Sequence, residues 1–286
     1  MTNIDQFESV FKSADKQRFK LGEVSFRRVL IVSDGDVEAT NRFAQTVRAF
    51  LDQILVTSDP LEINSIAGNS FTQVAELLEQ VELVQPDLIC TYRNLHAPAL
   101  EHPFSLGTYV DVLTQATSVP VMLLAHPARP PRQPPADSSR NVMAITDHLT
   151  GDHRLVSTAS SFTKSGGNLV LAHIEDEATF DRYVETISRI PALDTELARD
   201  EIYEQLLKEP RDYVQSCRDV LASDLNAVSV ESIVIMGNQL ADYRRLVQEC
   251  DVALLVINTK NDEQLAMHGL AYPLTIELRD TPMLLL

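Results

Sequence analysis

GTYVDVLTQATSVPVMLL runs from Gly107 to Leu124, and GLAYPLTIELRDTPMLLL runs from Gly269 to Leu286. In each copy a glycine stands thirteen residues before a proline, Gly107 before Pro120 and Gly269 before Pro282. Each proline opens an apolar run that reads as a strand. A chain that repeats a segment in this way is read as a pair of similar folds rather than as one long fold.

The segments upstream repeat in the same order. Arg28-Val29-Leu30-Ile31-Val32-Ser33-Asp34 is echoed by Asn141-Val142-Met143-Ala144-Ile145-Thr146-Asp147. Both are apolar runs that stop at a small hydroxyl residue and an aspartate. Glu62–Asn69 is echoed by Glu231–Asn238, and Asp87-Leu88-Ile89-Cys90 by Asp251–Val256. This period is far longer than that of a solenoid repeat, which points to two tandem domains. Between them lies 127–139, a proline-rich stretch in which fixed φ and missing donors predict an extended, stiff linker. The expected organisation is an N-terminal helical extension over 1–23, a first domain over 24–126, the linker, and a second domain over 140–286.

Composition narrows the function. The formal net charge of −17, from 41 acidic and 24 basic residues, opposes binding to nucleic acid or to an anionic membrane surface. Apolar runs fall short of membrane-spanning length, and the polar start carries no signal-peptide pattern. The three cysteines, Cys90, Cys217 and Cys250, are odd in number and form no Cys-x-x-Cys pair. Such usage suits a reducing, cytoplasmic setting. Cys90 and Cys250 border apolar runs and read as core residues.

Within each half, short apolar runs alternate with helical periodicity, the pattern of a parallel α/β sheet. The first half predicts strands near 28–33, 61–67, 87–92 and 120–125, with helices near 37–54, 70–84 and 107–117. The first helix carries its apolar face on Phe43, Val47, Phe50, Leu51 and Ile54. The second half adds a strand at 168–174, followed by an acidic helical stretch over 176–223. Pro191 and Pro210 divide that stretch, with Pro210 expected in the first turn of a new helix. Four strands are expected in the first domain and five in the second. Ile4, Phe7, Val10, Phe11 and Ala14 predict an N-terminal docking helix.

These residues, in this order, resemble the universal stress proteins in tandem form. The pieces are Ser33-Asp34-Gly35, Leu171-Ala172-His173-Ile174, Ala67-Gly68, Met236-Gly237, Pro86-Asp87-Leu88-Ile89, Gly107-Thr108 and Val119-Pro120-Val121. The resemblance covers roughly 26–126 and 140–286. It implies two Rossmann-like domains of the adenine nucleotide alpha hydrolase-like type, with parallel sheets in strand order 3-2-1-4-5. The first domain would lack one βα unit. It also implies that the two last strands pair antiparallel, giving an internal pseudo-dimer; whether two copies form a homodimer is left open. Physics favours that pairing, because Met283-Leu284-Leu285-Leu286 would otherwise expose an apolar edge. Pro120 and Pro282 suit the first position of such strands.

Many members of that family hold ATP with Gly-x2-Gly-x9-Gly-Ser/Thr. Glycines let backbone N–H groups approach phosphate, and a helix N-terminus favours its charge. In this chain the two earlier glycine positions hold Asn94 and Ala97, and the loop carries Pro98, Glu101 and Pro103. Asp34, Gly107 and Thr108 remain. In the second half Gly269 precedes Leu270, so the hydroxyl is lost, while Asp147 is kept. The candidate nucleotide positions are therefore Asp34, Asn94, Gly107, Thr108, Asp147 and Gly269. A plainer reading makes Asp34 and Asp147 local turn caps.

Other chemistry is weakly supported. Ser161-Phe162-Thr163-Lys164 fits a Ser-x-x-Lys pattern, but so do Ser9–Lys12 and Ser13–Lys16, without the motifs that should accompany it. His96 and His102, and likewise His148 and His153, share loops without metal spacing. His173 reads as a packing residue at a strand end, and Asp34 with Asp36 as solvated loop carboxylates. The expectation is a non-enzymatic stress-response or regulatory protein with degenerate ATP-binding loops, no cofactor and no metal. The alternative is an ATP- or AMP-binding switch, or a slow ATPase, using the first cleft.

Overall fold

A computed structural model describes residues 17–57, 59–97, 104–127, 141–146, 149–223, 228–259, 267 and 269–286. In the first half, β1 (Arg28–Val32) leads to α1 (Val37–Ile54), β2 (Glu62–Ile66), a 3₁₀ turn at Gly68–Ser70 and α2 (Val74–Val84). Then come β3 (Leu88–Tyr92), α3 (Thr108–Ala116) and β4 (Val121–Leu124). Helix α1 buries Phe43, Val47, Leu51 and Ile54 at spacings of four and three, the face that its periodicity predicts. Apart from the half-buried Arg28 that opens β1, strands β1, β3 and β4 are buried on both faces and, Thr91 excepted, apolar or aromatic, as suits parallel strands covered by helices.

The second half begins with β5 (Asn141–Ile145), α4 (His153–Ser161), β6 (Asn168–Asp176), α5 (Glu177–Ser188) and α6 (Thr195–Leu221). It closes with β7 (Ser229–Gly237), α7 (Gln239–Glu249), β8 (Leu254–Ile257), α8 (Ala271–Glu277) and β9 (Met283–Leu285). Among the described residues, all nine strands share one sheet, ordered β2-β1-β3-β4-β9-β8-β5-β6-β7. From its outer edge the second half runs β7-β6-β5-β8-β9, which is 3-2-1-4-5 when counted from β5. The first half departs from that order: β2 lies directly against β1, with no strand between. The likeness of 62–69 to 231–238 thus links two edge strands, and the missing unit is the inner one.

The halves join where β4 meets β9. These strands run antiparallel, with Val121 opposite Leu285, Met122 opposite Leu284 and Leu123 opposite Met283. All other pairings in the sheet are parallel, including β8 with β9. Leu286 is held too: its N–H donates to the Ile257 carbonyl at 3.0 Å, and its own carbonyl accepts from Thr259 N–H at 2.9 Å. The apolar end of the chain is thereby covered. A second tie comes from residues 17–27. The Phe19 N–H donates to Ser216 Oγ at 2.9 Å, the Gly22 N–H donates to Ser157 Oγ at 2.9 Å, and the Phe26 ring packs 5.1 Å from Phe162.

Some expectations need correction. Pro210 starts no helix; it lies inside the continuous α6. Proline removes one helical hydrogen bond. The helix continues because Leu207, Pro210, Tyr213, Val214, Cys217 and Leu221 are buried together, on a face packed against β7 and β6. His153 opens α4 rather than sitting in a loop. His173 is interior to β6, not at its end, and its Nε2 is 3.1 Å from Glu175 Oε2. Cys90 and Cys217 are buried and Cys250 half-buried; burial pushes the Cys217 thiol up to about 12 and that of Cys90 further. Residues 3–16 of the expected docking helix, and nearly all of the 127–139 linker, lie outside the described residues, while residues 17–23 of the expected helical extension carry no helix.

Candidate functional site

In an open parallel sheet, ligands are met beyond the carboxyl ends of the strands. At that end of the first half, β1 gives way to the turn Ser33-Asp34-Gly35. Asp36 then caps α1, its Oδ1 accepting from the Ala39 N–H at 2.8 Å. Thus Asp36, not Asp34, is the local cap, and it is not merely solvated. Gly68 crowds this turn, donating its N–H to the Gly35 carbonyl at 2.9 Å. A β-carbon at Gly68 would fall 2.1 Å from the Asp34 carbonyl oxygen, so only glycine permits the approach.

Asp34 is engaged by its own protein. The Tyr92 hydroxyl donates to Asp34 Oδ1, and the His96 N–H donates to Asp34 Oδ2 at 2.8 Å. The same hydroxyl lies 2.9 Å from Ser33 Oγ and accepts from the Asp34 N–H at 3.1 Å. Burial, then the bond to the Asp34 carboxylate, pushes the Tyr92 phenol up to about 12. Its ring stands edge-on to Phe43 at 4.9 Å and to His126 at 4.8 Å. Tyr92 therefore clasps the end of β1 to the end of β3.

The loop beyond β3 is tightly folded at its base. Asn94 has φ +59°, which asparagine tolerates, and Gly107 has φ +83° with ψ 152°, a region open essentially to glycine alone. The Asn94 N–H donates to the Leu106 carbonyl at 2.8 Å, and the Ala97 N–H donates to the Asn94 carbonyl at 3.1 Å. A β-carbon at Gly107 would meet Asn94 Cα at 2.8 Å. The exit of β3 and the start of α3 thus lie back to back. Thr108, the first residue of α3, is exposed. His96, itself at φ +54°, places its ring 4.7 Å from Phe71 and 5.3 Å from Tyr109. The Tyr109 hydroxyl donates to the Thr72 carbonyl at 2.7 Å, which fixes this aromatic group over the turn.

The corresponding end of the second half is built differently. Asp147 lies outside the described residues. Gly269 has φ +57° and stands two residues before α8, whose cap Leu270 makes no side-chain bond. Here Asp152 is the anchored acid: its Oδ1 accepts from the Leu155 N–H at 3.0 Å, capping α4, and its Oδ2 accepts from Asn258 Nδ2. Burial raises the Asp152 carboxyl above its ordinary value, against the lowering bonds from Leu155 and Asn258. Beside it, His153 Nδ1 lies 2.9 Å from the Tyr213 hydroxyl. The Ser-x-x-Lys residues do not meet: Ser161 Oγ donates to the Thr158 carbonyl at 2.7 Å, and Lys164 Nζ donates to the Asp52 carbonyl. Among the described residues no group of three His, Cys, Asp or Glu side chains is placed to hold a metal.

Of the six candidate positions, the structure brings Asp34, Asn94, Gly107 and Thr108 to one end of the first half, and Gly269 to the like end of the second. Sequence reasoning missed Tyr92, the clasp itself. Its signal was a hydroxylated aromatic closing an otherwise apolar strand.

No protein-family model and no curated protein matches the chain. Solved structures do. One is a functionally unknown protein from Pseudomonas aeruginosa PAO1, at 15% identity over 92% of each chain, with a TM-score of 0.49. Another is a universal stress protein from Archaeoglobus fulgidus DSM 4304, at 11% identity over 91% of this chain and 85% of that one, with a TM-score of 0.44. The fold of this chain is defined by its own strand order and register. No helix among the described residues is long and apolar enough to cross a membrane.

Proposed function

We propose that the chain is a tandem protein of the universal-stress type that acts by protein contacts rather than by turnover, with a first cleft that no longer grips nucleotide. The observation that carries this reading is the state of Asp34. Both of its carboxylate oxygens already accept hydrogen bonds, from Tyr92 and from the His96 backbone. A base amine entering here would compete with hydrogen bonds that Asp34 already makes, one of them from the buried Tyr92 phenol. Side chains at positions 94 and 97 add to this where the family pattern has glycine, and the Phe71–His96–Tyr109 group covers the adjoining turn. In this reading the β4–β9 seam joins two modules as an internal pseudo-dimer, and the buried thiols suit the cytoplasm.

The test is isothermal titration of the whole chain with ATP, ADP and AMP plus Mg²⁺. The expected result is no binding tighter than about 100 μM. Micromolar binding that Gly107→Val or Thr108→Ala abolishes overturns the proposal. One observation favours the second reading, a nucleotide switch. Asn94 and Gly107 both have positive φ, at two of the positions where the family pattern has glycine. That reading predicts that Tyr92→Phe, by releasing Asp34, raises nucleotide affinity.

A further inference from the structure

The α5–α6 hairpin belongs to the part of the second half that the first half lacks. Helix α6 has 27 residues, about 40 Å of rise. Its later turns are buried from Leu207 onward, but its earlier turns are not. Between Glu177 and Glu204 the only buried side chain is Phe180, whose ring meets Tyr203 at 5.8 Å and holds the two helices together. The hairpin therefore stands off the sheet.

Its surface is unlike the rest of the molecule. Ten large apolar side chains are exposed among the described residues, and five of them, Tyr183, Ile190, Leu193, Leu197 and Tyr203, fall within this hairpin at 38% to 60% exposure. Tyr183 and the half-buried Ile187 lie four apart on α5, and Ile190 follows two residues past its end. At the tip, the Leu193 N–H donates to the Ile190 carbonyl at 3.1 Å, so these two residues bracket a single turn, and Leu197 follows in the first turn of α6. Isolated exposed apolar residues are ordinary, whereas a concentration of them marks a contact surface.

The rim names the occupant. Residues 177–204 hold eight carboxylates and three arginines, and Arg189 is paired with Glu185 on its own helix. Asp194, Glu196 and Asp200 are exposed at or beside the tip, and Asp181 is exposed near the start of α5. A second copy would bring the same negative rim against it, on a chain of net charge −17; like charges so placed repel. We propose that the tip of the α5–α6 hairpin docks a cationic amphipathic helix of another protein, apolar face on Ile190, Leu193 and Leu197 and basic flanks on the acidic rim.

The experiment uses the full chain and a labelled helical peptide of leucine and lysine, about five turns long, followed by fluorescence anisotropy. A scrambled peptide of the same composition, whose leucines share no face, is the control. The triple variant Ile190→Ser, Leu193→Ser, Leu197→Ser changes exposed side chains only, and its thermal melt should overlay that of the parent. Expected are at least about tenfold weaker binding by the variant and a similar loss with the scrambled peptide, with affinity falling as salt rises. Failure of the parent to bind, or equal binding by parent and variant or by both peptides, overturns the proposal. So does a parent that sediments as a dimer while the variant is monomeric, since the occupant is then a second copy.

Discussion

The two halves fasten the same corner with different chemistry. In the first, the turn after the leading strand carries Asp34, and Tyr92 at the end of β3 reaches across to it. In the second, the turn after β5 carries Asp152, and Asn258, just past β8, reaches across. Each pairing joins a carboxylate beyond the leading strand to a side chain at or just past the end of the neighbouring parallel strand. The first half uses a buried phenol and the His96 N–H, which ties the start of the loop after β3 to the end of β1. The second uses an amide and the first turn of α4, which leaves the acid to double as a helix cap. The two corners thus hold their acids at different distances past the leading strand, Asp34 close to β1 and Asp152 at the start of α4, and with different partners.

That comparison is most severely tested where the halves meet. Leu284 is fully buried in β9, opposite Met122. Leu284→Ala should cost about 3 kcal/mol in urea unfolding and speed amide exchange on β4 and β8 alike. Faster exchange on one side alone would mean that the halves hold themselves together independently. Next is the clasp. Tyr92→Phe removes one hydroxyl that serves Ser33 and Asp34, at a cost of about 2 kcal/mol by the same measurement. A change near zero would show that the loop is fixed by its aromatic packing instead. Asp152→Ala should cost about 1 kcal/mol as a lost cap, less than Tyr92→Phe; the reverse order would break the contrast between a lock and a cap.

The smallest effect is one of sign. Asp87, at the opposite end of the first half, accepts from the Arg27 and Arg28 N–H groups at 3.0 and 2.8 Å. Burial alone would raise it, but those bonds and the Arg28 charge hold it below the ordinary value of 3.8. Its stabilisation is complete above that value and is lost as pH falls through the depressed folded value. Asp152 is raised above 3.8, so the folded protein binds its proton more tightly than the unfolded chain does. Stability from that group therefore falls as pH rises from 3.8 through the raised folded value. Subtracting the melting temperature of Asp152→Asn from that of the parent, point by point across that range, should give a descending line. Subtracting that of Asp87→Asn, at lower pH, should give an ascending one.

Much of this architecture was legible in the sequence, because repetition and periodicity are local. The strand beginning at Arg28, the helix over 37–54 and the closing runs after Pro120 and Pro282 are each written in adjacent residues. Pro210 misled because the burial that carries α6 through it comes from strands elsewhere in the chain. Asp34 was legible as a site residue but not in its role. Its partners stand 58 and 62 positions away, and nothing in the turn itself announces a phenol waiting on the next strand. Asn94 was read as a lost glycine. Its φ of +59° is positive, a backbone property that a residue letter does not disclose.

Strand β9 fills the gap between β4 and β8 about 160 residues after β4 is made. On a ribosome adding roughly 5–20 residues per second, β4 waits on the order of ten to thirty seconds for its partner. Throughout that interval Val121, Met122, Leu123 and Leu124 present an unclaimed apolar margin to the cell. The nascent chain is thus most exposed to misassociation at what will become its interior, and a chaperone that shields 121–124 would raise the yield of folded protein more than one acting on either outer strand.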